Sequence, residues 1–215
     1  MVFLTGSIRS EYIYMHKMKR SFFLLFIVAL LSSCEKSNAP EDVWVDLGLS
    51  VKWAKCNLGA TSPEESGGYY AWGETEEKEE YSYSTYEFYW DYEIEGNSIC
   101  GTRHDVASLK WGDGARMPSY DDMEELVLKC TFKEDTYNNV SGISVTGPNG
   151  NSIFLPKVGC HSVTGFRPHE FRYLSGTCNS LESIALLSGG GHVMNVNFWS
   201  EEMKYYGIPI RPVKD

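Results

Sequence analysis

Side chains able to do chemistry are plentiful in this chain, but few stand at a spacing that chemistry uses. His104, His161, His169 and His192 follow the first 33 residues. None sits in a His-Glu-x-x-His, Gly-x-Ser-x-Gly or Cys/His arrangement that would give a metal ligand set or an activated nucleophile. His161 and His169 share one stretch, where solvent exposure or capping outweighs metal ligation. Cys56, Cys100, Cys130, Cys160 and Cys178 show no Cys-x-x-Cys spacing, so no zinc site is read from them. Residues 74–80 hold five glutamates in seven positions. The Asp, Asn and Gly spacing of a calcium loop does not accompany them, and the segment reads as a solvated loop. Glycoside hydrolysis needs two acids at a set separation across a cleft, and abundance of acids is no sign of such a pair. No catalytic residue, metal site or cofactor is assigned.

One cysteine is different. Cys34 follows a basic stretch (residues 16–20), a ten-residue apolar run from Phe22 to Leu31 and the small pair Ser32-Ser33. That is the order of a secretory signal. Ten apolar residues are too few for a spanning helix, which needs about 20. Leu31-Ser32-Ser33-Cys34 resembles the box cut by the lipoprotein signal peptidase, so Cys34 is expected to become an acylated N-terminus. Several acyl chains, at roughly 0.8 kcal/mol per buried methylene, would anchor it firmly. The competing reading is an ordinary secretory signal followed by an incidental cysteine. Residues 1–14 add nothing a signal needs, which puts the expected start at Met15 or Met18.

Three parts follow: 1–33 a signal peptide, 34–42 a tether containing Pro40, and 43–213 one domain long enough for a sizeable core. Cleavage would remove four of 19 basic residues and one of 29 acidic ones, taking the net charge from −10 to about −13. Such a surface disfavours nucleic acid and anionic lipid headgroups. An extracytoplasmic compartment permits disulfides, although five cysteines leave at least one unpaired. Cys56, Cys130, Cys160 and Cys178 are the candidates for pairing, with connectivity open.

Twenty glycines, 14 tyrosines, 10 phenylalanines and 6 tryptophans point to strands and turns rather than a helical bundle. Apolar alternation predicts a strand over residues 49–53, and Gly67-Gly68-Tyr69-Tyr70-Ala71-Trp72 reads as another behind a glycine turn. Ser119 as N-cap, Asp121 and Asp122 in the first turn, and Met123, Leu126, Val127 and Cys130 at i, i+3, i+4, i+7 predict one main helix near 119–130. Cys130 on its apolar stripe is placed to meet another cysteine. Residues 143–146 and 153–155 around Gly147-Pro148-Asn149-Gly150 predict a hairpin. Residues 159–180 read as a polar, glycine-containing loop, 184–187 as a short strand, 188–191 as a turn and 192–199 as a longer strand. In that strand Met194, Val196 and Phe198 share one face, and Asn195, Asn197 and Trp199 the other. Ile208 and Ile210 alternate in a last strand, where Pro209 and Pro212 suit an edge. The class expected is α+β, mostly short antiparallel strands and long loops with that one helix.

Several blocks carry a resemblance. They run from Val45-Asp46-Leu47-Gly48-Leu49-Ser50-Val51-Lys52-Trp53-Ala54-Lys55-Cys56-Asn57-Leu58-Gly59-Ala60 through Gly67-Gly68-Tyr69-Tyr70-Ala71-Trp72-Gly73-Glu74, Asp105-Val106-Ala107, Trp111-Gly112 and Arg116-Met117-Pro118-Ser119. Gly147-Pro148-Asn149-Gly150, Ile153-Phe154-Leu155-Pro156 and Gly207-Ile208-Pro209-Ile210-Arg211-Pro212-Val213 complete them. Together they are similar to the Fibrobacter succinogenes major paralogous domain of bacterial surface lipoproteins. The likeness implies a C-type-lectin-like fold related to the formylglycine-generating enzyme, with paired first and last strands. It also implies an outer-membrane, cell-surface location, with a periplasmic face as the alternative. Cys178 stands where the family has a tryptophan, which makes room for a Cys160–Cys178 bridge. Neither the calcium motifs of lectins nor the enzyme's paired-cysteine site is carried over.

Two aromatic-rich stretches remain as binding candidates. Residues 81–92 hold seven aromatics in twelve positions, of which Tyr86 and Trp90 are the named candidates for stacking on sugar or peptide. His192, Asn195, Asn197, Trp199 and Tyr205 are the candidates for a recognition surface, since asparagine with tyrosine and tryptophan makes adaptable contacts. Burial as ordinary packing is the competing reading for both. The function expected is a lipid-anchored, non-catalytic binding or adhesion module for a glycan, peptide or surface protein. The alternatives are a hydrolase or modifying enzyme and a passive surface or pilus component.

Overall fold

Trp53 shows how the domain closes on itself. The computed structural model describes residues 39, 42–88, 96–179, 184–190 and 193–215, and Lys36–Asp215 forms one compact unit. Strand β1 (Trp44–Val45) pairs antiparallel with β2 (Lys52–Ala54). On its other side β2 pairs with β14 (Val213–Lys214), so the fully buried Trp53 lies opposite both Val45 and Val213. Strand β4 (Ala115–Arg116) completes the order β1-β2-β14-β4. The first and last strands therefore share a sheet without pairing directly; at about 4.8 Å per strand they run roughly 10 Å apart. Ile208 belongs to β13 (Ile208–Pro209), which pairs with β3 (Tyr69–Tyr70). The true last strand, β14, lies inside its sheet rather than at an edge.

Helix α2 (Tyr120–Lys129) forms as its sequence predicts. The Ser119 hydroxyl accepts from the Asp122 N–H while the Asp122 carboxylate accepts from the Ser119 N–H, a capping box that satisfies two otherwise orphaned donors. Met123 and Leu126 are buried on its inner face. Arg116 closes on Asp122 at 2.6 Å and on Asp215 at 2.7 Å, tying the helix start to the chain end. Farther along, the Glu125 carboxylate accepts from Lys129 at 2.7 Å and from the hydroxyl and N–H of Ser50. Lys129 and Ser50 hold the Glu125 carboxyl down to about 2. At Asp122 burial pushes upward, but Arg116 and Ser119 win and the net shift is downward. A depressed carboxyl stabilises the fold above its unfolded value of about 4.3, and that stability is lost as pH falls toward the folded value. Melting followed from pH 5 to pH 2 is expected to show a steep fall that Glu125→Gln flattens; an unchanged slope would show that these contacts do not form.

The class differs from expectation. Helix accounts for only about 14% and small antiparallel sheets dominate, so the domain is mainly β rather than α+β, and the C-type-lectin arrangement is not what these sheets show. The extra strands come from segments without a clean alternation. The described residues of the stretch expected as a loop, 159–179, supply β8 (Cys160–Ser162), β9 (Gly165–Arg167) and β10 (Arg172–Cys178). β5 (Thr131–Tyr137) pairs with β6 (Val140–Thr146) through Asn138 and Asn139, both at positive φ as a tight two-residue hairpin turn requires. β6 then pairs with β7 (Ser152–Pro156), the hairpin that was expected. In its turn the Asn149 and Asn151 amides donate to the Asp46 carbonyl. Gly147 sits so close to Leu47 that a Cβ would lie 2.0 Å from its carbonyl oxygen.

The sheet β10-β11-β12, with β11 at Ile184–Gly190 and β12 at Val193–Trp199, divides the interior. Tyr173, Leu187 and Met194 project into a core with Trp53, Leu126, Ile143 and Leu155. Leu174 and Leu186 project the other way, against Trp72, Trp111, Ile208 and Ile210. Both faces of β10 and β11 are covered, as in a central strand. β12 lies at the edge.

Candidate recognition surface

β12 carries the candidate residues that the structure leaves accessible. It pairs with β11 in an unbroken register from Ile184↔Trp199 to Gly190↔Val193. Asn195 and Asn197 point to the exposed side. On the opposite face Phe198, expected to point inward, is 42% exposed. Its ring stacks on Tyr120 of α2 at 5.2 Å and 5°, and the Tyr120 hydroxyl donates to Glu124 Oε1 at 2.9 Å. Sequence reasoning missed this pair, because Phe198 alternates with Met194 and Val196 and so looked like core. The signal was its place at the strand's end, beside the helix start.

Trp199 and Tyr205 serve packing more than recognition. The Arg172 guanidinium lies 4.6 Å over the Trp199 ring. Arg172 is fixed by an ion pair to Glu170 Oε2 at 2.6 Å and a contact to Met203 Sδ at 3.2 Å. Arg167 and the Cys160 thiol also donate to Glu170. Burial, then the Glu170 charge, pushes Cys160 up to about 11, which leaves a thiol rather than a nucleophilic thiolate at neutral pH. Tyr205 packs its ring against Tyr83, Tyr86 and Tyr206.

The described part of the aromatic stretch, residues 81–88, contributes to a small core of its own. Tyr81 and Tyr86 are buried with Ala71, and the Tyr86 hydroxyl donates to the Trp72 carbonyl at 2.9 Å. Tyr86 is therefore not available to stack on a ligand. Glu74, one of the five glutamates read as solvated, is buried. It accepts from Lys78 and from the Glu87 N–H, pinning this stretch to the domain. Glu76, Glu77, Glu79 and Glu80 are exposed. Trp90, His192 and the lipidation candidate Cys34 lie outside the described residues.

His161 is half-buried among rings rather than solvated. Tyr69, Tyr81 and Phe166 surround it at 4.8, 5.3 and 4.9 Å. Burial holds its pKa below the ordinary histidine value, against the pull of Glu77. Its backbone exchanges hydrogen bonds with Gly207. The His169 side is exposed. Among the described residues, no group of three or more His, Cys, Asp and Glu side chains is arranged to hold a metal ion.

The five described cysteines are free in this structure. Cys160 faces Glu170, Cys178 points toward the Gly96 carbonyl, and Cys56 lies beside Arg211. Cys130 ends α2 half-buried, its thiol pushed up to about 11 by burial. No described helix is long and apolar enough to cross a membrane. Comparison with family models, curated proteins and solved structures gives no match.

Proposed function

We propose that this chain is a lipid-anchored, non-catalytic binding or adhesion module on the bacterial outer membrane, displayed by an acylated Cys34 and akin to the surface lipoproteins its motif blocks resemble. Its ligand is a glycan or a protein surface. The observation that carries the reading is the combination on one edge: two exposed asparagine amides on one face of β12, and on the other the exposed Phe198 ring stacked on the half-buried Tyr120. Amides that make no hydrogen bond among the described residues have their donors and acceptors to offer. A stacked aromatic pair supplies apolar area at low entropic cost.

The test compares retention on mucin and glycan arrays with thermal melting. Asn195→Ala with Asn197→Ala is expected to reduce retention at least tenfold with an unchanged melting temperature. Trp199→Ala and Tyr205→Ala, which empty packed positions, are expected to lower the melting temperature by several degrees. Cys34→Ala is expected to release the protein from the membrane fraction. Full retention by the asparagine variant overturns the assignment of this face.

A further inference from the structure

The edge position of β12 has a second consequence, independent of any ligand. Edge strands expose a row of unpaired backbone donors and acceptors, and natural proteins guard them with lysine, proline, bulges or short length. β12 has none of these guards. Its seven residues, Val-Met-Asn-Val-Asn-Phe-Trp, carry no charge and no proline, and its register with β11 contains no bulge. The backbone and side-chain hydrogen bonds of the described residues link none of residues 193–199 to a further element along the free edge. The rest of the chain is strongly acidic, with a net charge of −10, so a neutral strand is where two copies meet with least repulsion.

The strand is also its own complement. We propose that β12 pairs antiparallel with β12 of a second copy, centred on Val196, to give a continuous six-stranded sheet β10-β11-β12-β12-β11-β10. In that register Asn195 faces Asn197 of the other copy twice over, on one face of the sheet. Amides both donate and accept, so each pair can satisfy itself. On the other face Met194 meets Phe198, a sulfur–aromatic contact, and Val196 meets Val196. A shift of two residues either way sets Asn against Val193 or Trp199 at the ends and shortens the ladder. The arrangement is isologous and closed, so it stops at two copies. It also gathers four asparagines on one face.

The test uses full-length chains carrying two different tags, co-expressed and purified in detergent without added glycan. Wild-type tags are expected to co-purify, and sedimentation at high micromolar concentration is expected to give a dimer. Asn195→Lys with Asn197→Lys sets like charges opposite one another twice, and self-association is expected to fall at least tenfold with an unchanged melting temperature. Asn195→Asp with Asn197→Asp is expected to fail in the same way alone. Mixing the lysine and aspartate variants is expected to restore a one-to-one dimer. A monomeric wild type overturns the pairing, as does a lysine variant that still self-associates or a charge-swapped mixture that does not. Full mucin retention by Asn195→Ala with Asn197→Ala, or no mucin retention by a wild type that still dimerises, would sink the proposed ligand face and leave this pairing standing.

Discussion

Replacing Arg211 with methionine is expected to remove about 3–5 kcal/mol of stability, a large part of the roughly 5–15 kcal/mol typical of a domain. Arg211 is fully buried. Its Nε donates to Asn57 Oδ1 at 2.9 Å, one terminal nitrogen donates to the carbonyls of Ala54 and Lys55, and the other donates to Phe154 O at 2.9 Å. One guanidinium therefore joins the segment between β13 and β14, the end of β2 and the middle of β7. Burial pulls its pKa below the ordinary arginine value, and Tyr173 and Cys56 oppose that pull. Methionine would relieve the cost of burying a charge, but the four oxygens it abandons are mostly backbone and cannot be replaced by apolar atoms. Each acceptor left dry costs about 1–3 kcal/mol. Arg211→Lys keeps the charge but lacks the planar fork, so it is expected to fall between the two. Urea unfolding reads the difference as a shift in midpoint at constant slope; a midpoint within error of wild type would contradict the buried network.

That arginine shows where the sequence was legible and where it was not. Pro209 and Pro212 flank it, and proline argued for an edge. Pro209 does lie in an edge strand, since β13 has only β3 beside it, but the whole segment is buried, and the Pro212 carbonyl accepts from the Ala54 N–H without needing a donor of its own. Helix α2 was legible because its cap, its first-turn acids and its apolar stripe are local and agree with one another. The β6–β7 hairpin was legible for the same reason: apolar alternation before a Gly-Pro-Asn-Gly turn and a short apolar run, Ile153-Phe154-Leu155, after it. β10 was not, since Arg-Tyr-Leu-Ser-Gly-Thr-Cys is covered on both faces and breaks register between Leu174 and Cys178. Gly176 is there because the Cys100 sulfur lies where its Cβ would be, a contact no periodicity reports.

The candidate surface divides along the same line. Exposure of Asn195 and Asn197 follows from strand alternation alone. Capture of Trp199 by Arg172 depends on a strand that the sequence did not reveal, and so does the network through Glu170. Tyr86 looked available because seven aromatics crowd one polar stretch; its burial rests on the distant Trp72 carbonyl, and Glu74, reaching in from the preceding segment, pins the chain beside it. Long-range partners, rather than local composition, separate a ligand-facing ring from a buried one.

Asp105→Ala is expected to cost about 3–5 kcal/mol, through donors rather than acceptors. The Asp105 carboxylate is fully buried and lies at the N-terminus of helix α1 (Val106–Trp111). Oδ1 accepts from the Ser108 N–H at 3.0 Å, Oδ2 from the Gly101 N–H at 2.7 Å, and both accept from the Met117 N–H. Two oxygens thus serve three backbone donors from the preceding loop, the first turn of α1 and the strand end that leads to α2. Alanine leaves all three dry. Asparagine keeps the shape, so it isolates the chemistry: its single oxygen can retain the Ser108 cap and a share of Met117, but its NH₂ would face the Gly101 N–H donor to donor. Asp105→Asn is therefore expected to lose about 1–3 kcal/mol, with the amide of Gly101 exchanging faster while that of Ser108 stays protected. Equal protection at both amides would refute the two-oxygen clamp. Because Met117 leads through Pro118 and Ser119 directly into α2, the same variant is expected to loosen the Tyr120–Phe198 stack, so retention on a ligand surface should weaken as well.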